Sequence, residues 1–120
     1  MTLWNEAEEV LAVHLAELHL DFHRQVLVIP TRKWLLDFTF AWKKQIYAIE
    51  VNGGKWTGGH RRGNRVDSEC DKLNEATMQG YRVLAFTREQ VNSGEAKRFI
   101  KERVLEVKKS SLDSKTSVDL

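Results

Sequence analysis

Trp34-Leu-Leu-Asp-Phe-Thr-Phe-Ala-Trp42, followed almost at once by Gln45-Ile-Tyr-Ala-Ile-Glu-Val-Asn52, decides the reading of this chain. Both runs are rich in aromatic and β-branched residues, and only Lys43-Lys44 separates them, so they read as an antiparallel hairpin. Each carries one acid, Asp37 in the first and Glu50 in the second. Alternation across a strand puts Leu36, Phe38, Phe40 and Trp42 on one face, with Leu35, Asp37, Thr39 and Ala41 on the other. In the second run Ile46, Ala48, Glu50 and Asn52 share a face opposite Tyr47, Ile49 and Val51. Asp37 and Glu50 are therefore expected to point the same way from neighbouring strands. A carboxylate in apolar surroundings is costly to desolvate unless a cation meets it. Neither strand supplies a Lys or Arg. The pair points to a divalent metal, and hard oxygen donors suit Mg²⁺ or Mn²⁺.

Outward from the hairpin, the order is simple. Ala7, Val10, Leu11, His14, Leu15 and Leu18 recur at helical spacing behind Glu6, Glu8 and Glu9, which predicts an amphipathic helix over about 5–20. Leu20 to Arg24 reads as a connection, and Gln25-Val-Leu-Val-Ile29 as a strand closed by Pro30. After the hairpin, Gly53-Gly54 opens a loop, Lys55-Trp-Thr-Gly-Gly-His-Arg-Arg-Gly63, too rich in glycine and cations to form core. Residues 66–79 read as a helix with Cys70, Leu73 and Met78 as its apolar surface and Gly80 as its stop. Tyr81-Arg-Val-Leu-Ala-Phe86 is the fourth strand. Thr87-Arg-Glu-Gln90 resembles a capping box, and Ser93 can start a last helix with Ala96, Phe99, Ile100, Val104 and Val107 on one face. The order is α-β-β-β-α-β-α: one α/β domain over residues 1–109, with 110–120 expected to be a disordered tail for want of apolar residues.

The totals exclude several classes. A chain of 120 residues with 42% apolar content makes one domain with a real core. Cys70 is the only cysteine, so an internal disulfide and an all-cysteine zinc site are out, and the expected role is a small buried filler. Acids interrupt the amino terminus where a secretory signal would be apolar, and no run is long enough to cross a bilayer. A reduced, cytoplasmic protein is expected. The formal charge of +2 announces no polyanion by itself, but Lys55, His60, Arg61, Arg62 and Arg65 crowd one glycine-rich stretch. Flexible cations and free backbone N–H groups of that kind meet phosphates.

These motifs, in this order, resemble the PD-(D/E)XK superfamily of restriction-endonuclease-like nucleases. They are closest to its compact phage and bacterial branch related to very-short-patch repair endonucleases. The likeness rests on Asp37-Phe-Thr-Phe-Ala-Trp42, Glu50-Val-Asn-Gly-Gly54, Gly59-His-Arg-Arg-Gly63, Glu69-Cys-Asp-Lys-Leu-Asn-Glu-Ala76 and Gly80-Tyr-Arg-Val-Leu84, and spans Trp4 to Thr87. It implies a restriction-endonuclease-like core, a mixed four-stranded sheet flanked by helices. It also implies a Mg²⁺-dependent DNA endonuclease, with Mn²⁺ able to substitute, that leaves 5′-phosphate ends in a bacterial or phage-infected cell. Many relatives act as homodimers.

The resemblance also implies roles. Asp37, Glu50 and the Val51 carbonyl would be the metal ligands, and Glu8 the first-helix acid that helps hold a metal or its waters. The superfamily's lysine, two residues after the second acid, is Asn52 here, which can orient a water but cannot neutralise charge. Lys72 on the following helix is the matching cation, with a solvated lysine as its alternative. His60 is either a phosphate donor or an ordinary surface histidine. Trp56 is read as an anchor of its own loop, with base stacking as the alternative. His14 is expected to be a hydrogen-bonded core histidine, and Trp4, Trp34 and Trp42 core residues. Gln25 matches a polar position near the family's site. Two other functions stay open: a non-catalytic nucleic-acid-binding module on this fold, and a phage accessory protein whose basic loop touches protein.

Overall fold

The computed structural model describes residues 6–51 and 63–106. Helix α1 (Glu6–Glu17) leads into β1 (Phe22–Leu27), β2 (Leu35–Trp42) and β3 (Gln45–Val51). Helix α2 (Gly63–Met78), β4 (Tyr81–Phe86), α3 (Arg88–Asn92) and α4 (Glu95–Phe99) follow. Helix α4 runs on through Ile100–Leu105 in wider, π-type turns, with the Glu106 N–H donating to the Lys101 carbonyl at 2.9 Å. The sheet is mixed, in the order β1-β2-β3-β4, with β1–β2 and β2–β3 antiparallel and β3–β4 parallel. A parallel pair needs a crossover, and α2 provides it. No described helix is long and apolar enough to cross a membrane. The expected boundary between 1–109 and a tail at 110–120 falls outside the described residues, as does Val107.

The hairpin is as expected. Lys43 and Lys44 both take positive φ (48° and 69°), the left-handed pair that matches a two-residue link to the twist of its strands. Phe38 and Phe40 stand opposite Ile49 and Tyr47, with the Phe40 and Tyr47 rings stacked at 5.0 Å. This aromatic face, with Val51 and Phe86, meets Ala7, Leu11 and Leu15 of α1 and Val91, Ala96, Ile100 and Val104 from the carboxyl-terminal helices. On the other face Val28, Leu36 and Ala48 pack with Ala76 of α2, and Tyr81 and Val83 flank them.

Four expectations need correction. The first strand begins at Phe22 and ends at Leu27, three residues before and two before the expected limits. Polar His23 and Arg24 hid its start. They are tolerated because β1 is an edge strand and the Arg24 guanidinium lies over the Phe38 ring (5.1 Å) and bonds Glu9 (3.1 Å). Val28 leaves the ladder and donates its N–H to the Trp34 carbonyl. Second, Leu36 packs with Ala48 and Ala76, not with Phe38, so the alternation of β2 breaks at Asp37. Third, Cys70 is exposed and Met78 is 78% exposed; among the described side chains of α2 the buried ones are Lys72 and Ala76. Fourth, the final helical region is split. Thr87 caps α3 by accepting from the Gln90 N–H while the Gln90 side chain accepts from the Thr87 N–H. Gly94 (φ 90°) then redirects the chain, and Ser93 Oγ accepts from the Glu95 N–H.

Removing the Thr87 hydroxyl orphans the N–H it accepts from. Thr87→Ala should lower stability by about 1 kcal/mol in urea denaturation, with an unchanged m-value.

Candidate active site

Asp37 sits at a gap in the sheet. The β1–β2 pairs run from Phe22↔Phe40 to Arg24↔Phe38 and resume at Val26↔Leu36. The β2–β3 pairs end at Phe38↔Ile49, whereas β3 continues along β4 to Val51↔Phe86. Neither ladder includes Asp37. Its N–H donates instead to Glu50 Oε2 at 2.9 Å, and the Val51 N–H donates to Asp37 Oδ2 at 2.9 Å. Each carboxylate thus satisfies a backbone donor of the other's strand. The expected convergence of the two acids is present, made by this exchange.

Lys72 completes the cluster. Its Nζ donates to Glu50 Oε1 at 2.8 Å and to the Leu35 carbonyl at 2.9 Å, and lies 3.3 Å from Glu69 Oε2. Glu50 is 0% exposed and Lys72 8%. The solvated-lysine reading of Lys72 is therefore corrected: a helix whose inward face meets a buried acid presents a cation there.

Burial, then the charge of Asp37, pushes the Glu50 carboxyl above the usual glutamate range; Lys72's charge and hydrogen bond, and the Asp37 N–H, oppose this without cancelling it. For Lys72, burial acts to lower the ammonium's pKa, but the Glu50 and Glu69 carboxylates outweigh it and the net direction is up. The two directions are compatible, because Glu50 is wholly enclosed while Lys72 still meets some solvent.

The donor types fit a hard divalent cation: two neighbouring carboxylates, tied together through the Asp37 and Val51 N–H groups. Asp37 and Glu50 are the described carboxylates that would hold one, and what the structure shows at Val51 is its N–H donating to Asp37. Among the described residues no group of three or more His, Cys, Asp or Glu side chains is placed to hold a metal by itself. Mg²⁺, which keeps several waters, needs no such group.

Glu8 is half-buried on α1, and the bonds joining Asp37, Glu50 and Lys72 run without it. Asn52, Lys55, Trp56, His60, Arg61 and Arg62 lie outside the described residues, as does Trp4; Arg65 belongs to α2, with its side chain outside them. Trp34 and Trp42 are half-buried. His14 is half-buried too, but its Nδ1 has no hydrogen-bond partner among the described residues, contrary to expectation. Gln25 stands level with Asp37, between the pairs Arg24↔Phe38 and Val26↔Leu36, with φ at 53°. Sequence reasoning gave no role to Glu69 or to the Leu35 carbonyl. The spacing of Glu69 and Lys72, one helical turn apart, was the available signal for the first. Comparison with known protein families, curated proteins and solved structures finds no match to this chain.

Two outcomes follow from the buried pair. Lys72→Met strips an enclosed carboxylate of its cation and should cost about 3–5 kcal/mol, measured by urea denaturation at neutral pH. Glu50 holds its proton to a higher pH in the native state than in the unfolded chain, where 4.5 applies. Folding therefore takes up a proton just above that pH, and this component of stability is complete below it and lost as pH rises through the native value. Glu50→Gln should remove that fall from the stability–pH curve of the metal-free protein, read as the difference from wild type.

Proposed function

We propose that this protein is a Mg²⁺-dependent DNA endonuclease with a restriction-endonuclease-like core of the PD-(D/E)XK type. One observation carries the reading: Lys72 reaches Glu50 at 2.8 Å from the following helix, beside an Asp37–Glu50 pair tied together through the backbone. Asn52 takes the place of the superfamily's lysine, and Lys72 brings a cation to the same acid from another element. The mixed four-stranded sheet with helices on both faces supports the same reading, since it sets the two acids on adjacent central strands.

Asp37, Glu50 and the Val51 carbonyl would hold the ion. When bound, Mg²⁺ supplies charge relief at the phosphate and makes water a competent nucleophile at neutral pH. The protein's own part is electrostatic and geometric. Asp37 and Glu50 keep their oxygens in place through the N–H groups of the opposite strand, without a reorganisation cost at the moment of reaction. Lys72 is the donor for the scissile phosphate or its attacking water. Lys55, His60, Arg61, Arg62 and Arg65 are the proposed phosphate contacts of the DNA, in a chain that works in the cytoplasm of a bacterial or phage-infected cell. Cleavage would leave 5′-phosphate and 3′-hydroxyl ends.

The test is a panel of labelled duplex, nicked, branched and single-stranded DNAs, incubated with Mg²⁺, with Mn²⁺ and with a chelator. Cleavage is expected only with metal. Asp37→Asn, close in shape and neutral, should lower turnover by about 10²–10³-fold while leaving the circular dichroism native. Equal cleavage by wild type and Asp37→Asn would refute the site. Salt-sensitive DNA binding that survives chelation, with no cleavage of any substrate, would instead make the protein a binding module.

A further inference from the structure

Lys72 Nζ donates to the Leu35 carbonyl and to Glu50 Oε1, and stands as an ion pair without a hydrogen bond 3.3 Å from Glu69 Oε2. Two of the three N–H donors of the ammonium are thus committed to the protein. Its charge also occupies Glu50, the carboxylate that the proposed endonuclease reading gives to the metal. Two cations on one enclosed anion repel strongly, since little solvent separates them. Lys72 must yield part of its hold on Glu50 before a divalent ion can share it.

Glu69 offers the ammonium somewhere to go. It makes the longest of the two ion pairs to Lys72, at 3.3 Å against 2.8 Å for Glu50, and its side chain is 21% exposed against 0%. A carboxylate already in contact with solvent gives up less hydration when it takes a full ion pair. Glu69 lies one helical turn before Lys72 on α2, so the ammonium passes from one acid to the other by side-chain torsions alone.

We propose that Glu69 is a positioning residue that takes the Lys72 ammonium when a divalent cation occupies the Asp37–Glu50 pair, freeing Glu50 for the metal and aiming Lys72 at the substrate. The proposal rests on the metal-dependent reading above and adds to it the group that resolves the competition.

Calorimetric titration of the full chain with Mn²⁺, for wild type, Glu69→Gln and Glu69→Asp, tests it. Glu69→Gln should bind Mn²⁺ about tenfold more weakly, because Lys72 then has Glu50 as its only acid, and Glu69→Asp should recover most of the affinity. The thermal midpoint without metal should stay at the wild-type value in both. The ¹⁵N resonance of the Lys72 ammonium gives a second readout. On adding Mg²⁺ it should move differently in wild type and in Glu69→Gln, since in the variant the released ammonium finds solvent in place of a carboxylate. A wild type that binds no Mn²⁺ overturns the metal reading and this proposal with it. A wild type that binds Mn²⁺ no better than Glu69→Gln overturns the role of Glu69 alone. Weakened binding with identical Lys72 resonances would make Glu69 a direct ligand, and would also overturn it.

Discussion

Enclosing Glu50 within the sheet removes its hydration, and that loss must be offset by a cation and by hydrogen-bond donors held at fixed places. The Lys72 ammonium and the Asp37 N–H meet the need, one from α2 and one from β2. Much of the local architecture follows. Helix α2 turns a lysine toward the sheet where a helix covering an apolar face would turn a leucine, and Ala76 one turn further keeps the approach close. A buried ion pair is poor value as a stabiliser, because a well-packed apolar pair of the same volume would avoid the desolvation. Its presence beside a second carboxylate is therefore weak evidence of a stabilising role.

The opposite face of the sheet holds the fold. Phe38, Phe40, Tyr47 and Ile49 interlock across the hairpin and bury α1 and the carboxyl-terminal helices against them. Because side chains on a strand alternate with a period of two, any slip of one residue would send these rings to the site face and the acids into the core. The aromatic layer therefore sets the register on which Asp37 and Glu50 depend. Beyond Phe38↔Ile49 the two strands part while β3 stays paired with β4, and the carboxylates take over the bonding that the ladder gives up.

Much of this was legible in the residue order. The hairpin came from two apolar runs around Lys43-Lys44, the helix capped at Thr87 from its reciprocal Thr and Gln, and the convergence of Asp37 and Glu50 from alternation alone. Lys72 was a candidate cation only through the family resemblance, which puts a lysine on the following helix when the usual position is Asn52. Other readings failed for identifiable reasons. His23 and Arg24 masked the start of β1, since an edge strand need not be apolar. Cys70 and Met78 looked like the covered face of α2, because hydrophobic type was read without knowing that the surface beneath includes a charged group.

The sequence by itself determined what depends on neighbours along the chain: strand alternation, the two-residue turn, helix caps and the isolation of two acids in apolar runs. Backbone geometry repeats on that scale, so pattern suffices. Only the tertiary structure decided which atoms meet: the exchange between Asp37 and Glu50, the arrival of Lys72, the second acid at Glu69 and the break in β2 that sends Leu36 to the far face. Apart from Glu69, one helical turn from Lys72, those contacts join residues distant in the chain, and their energies arise from desolvation, which exists only once the elements have packed.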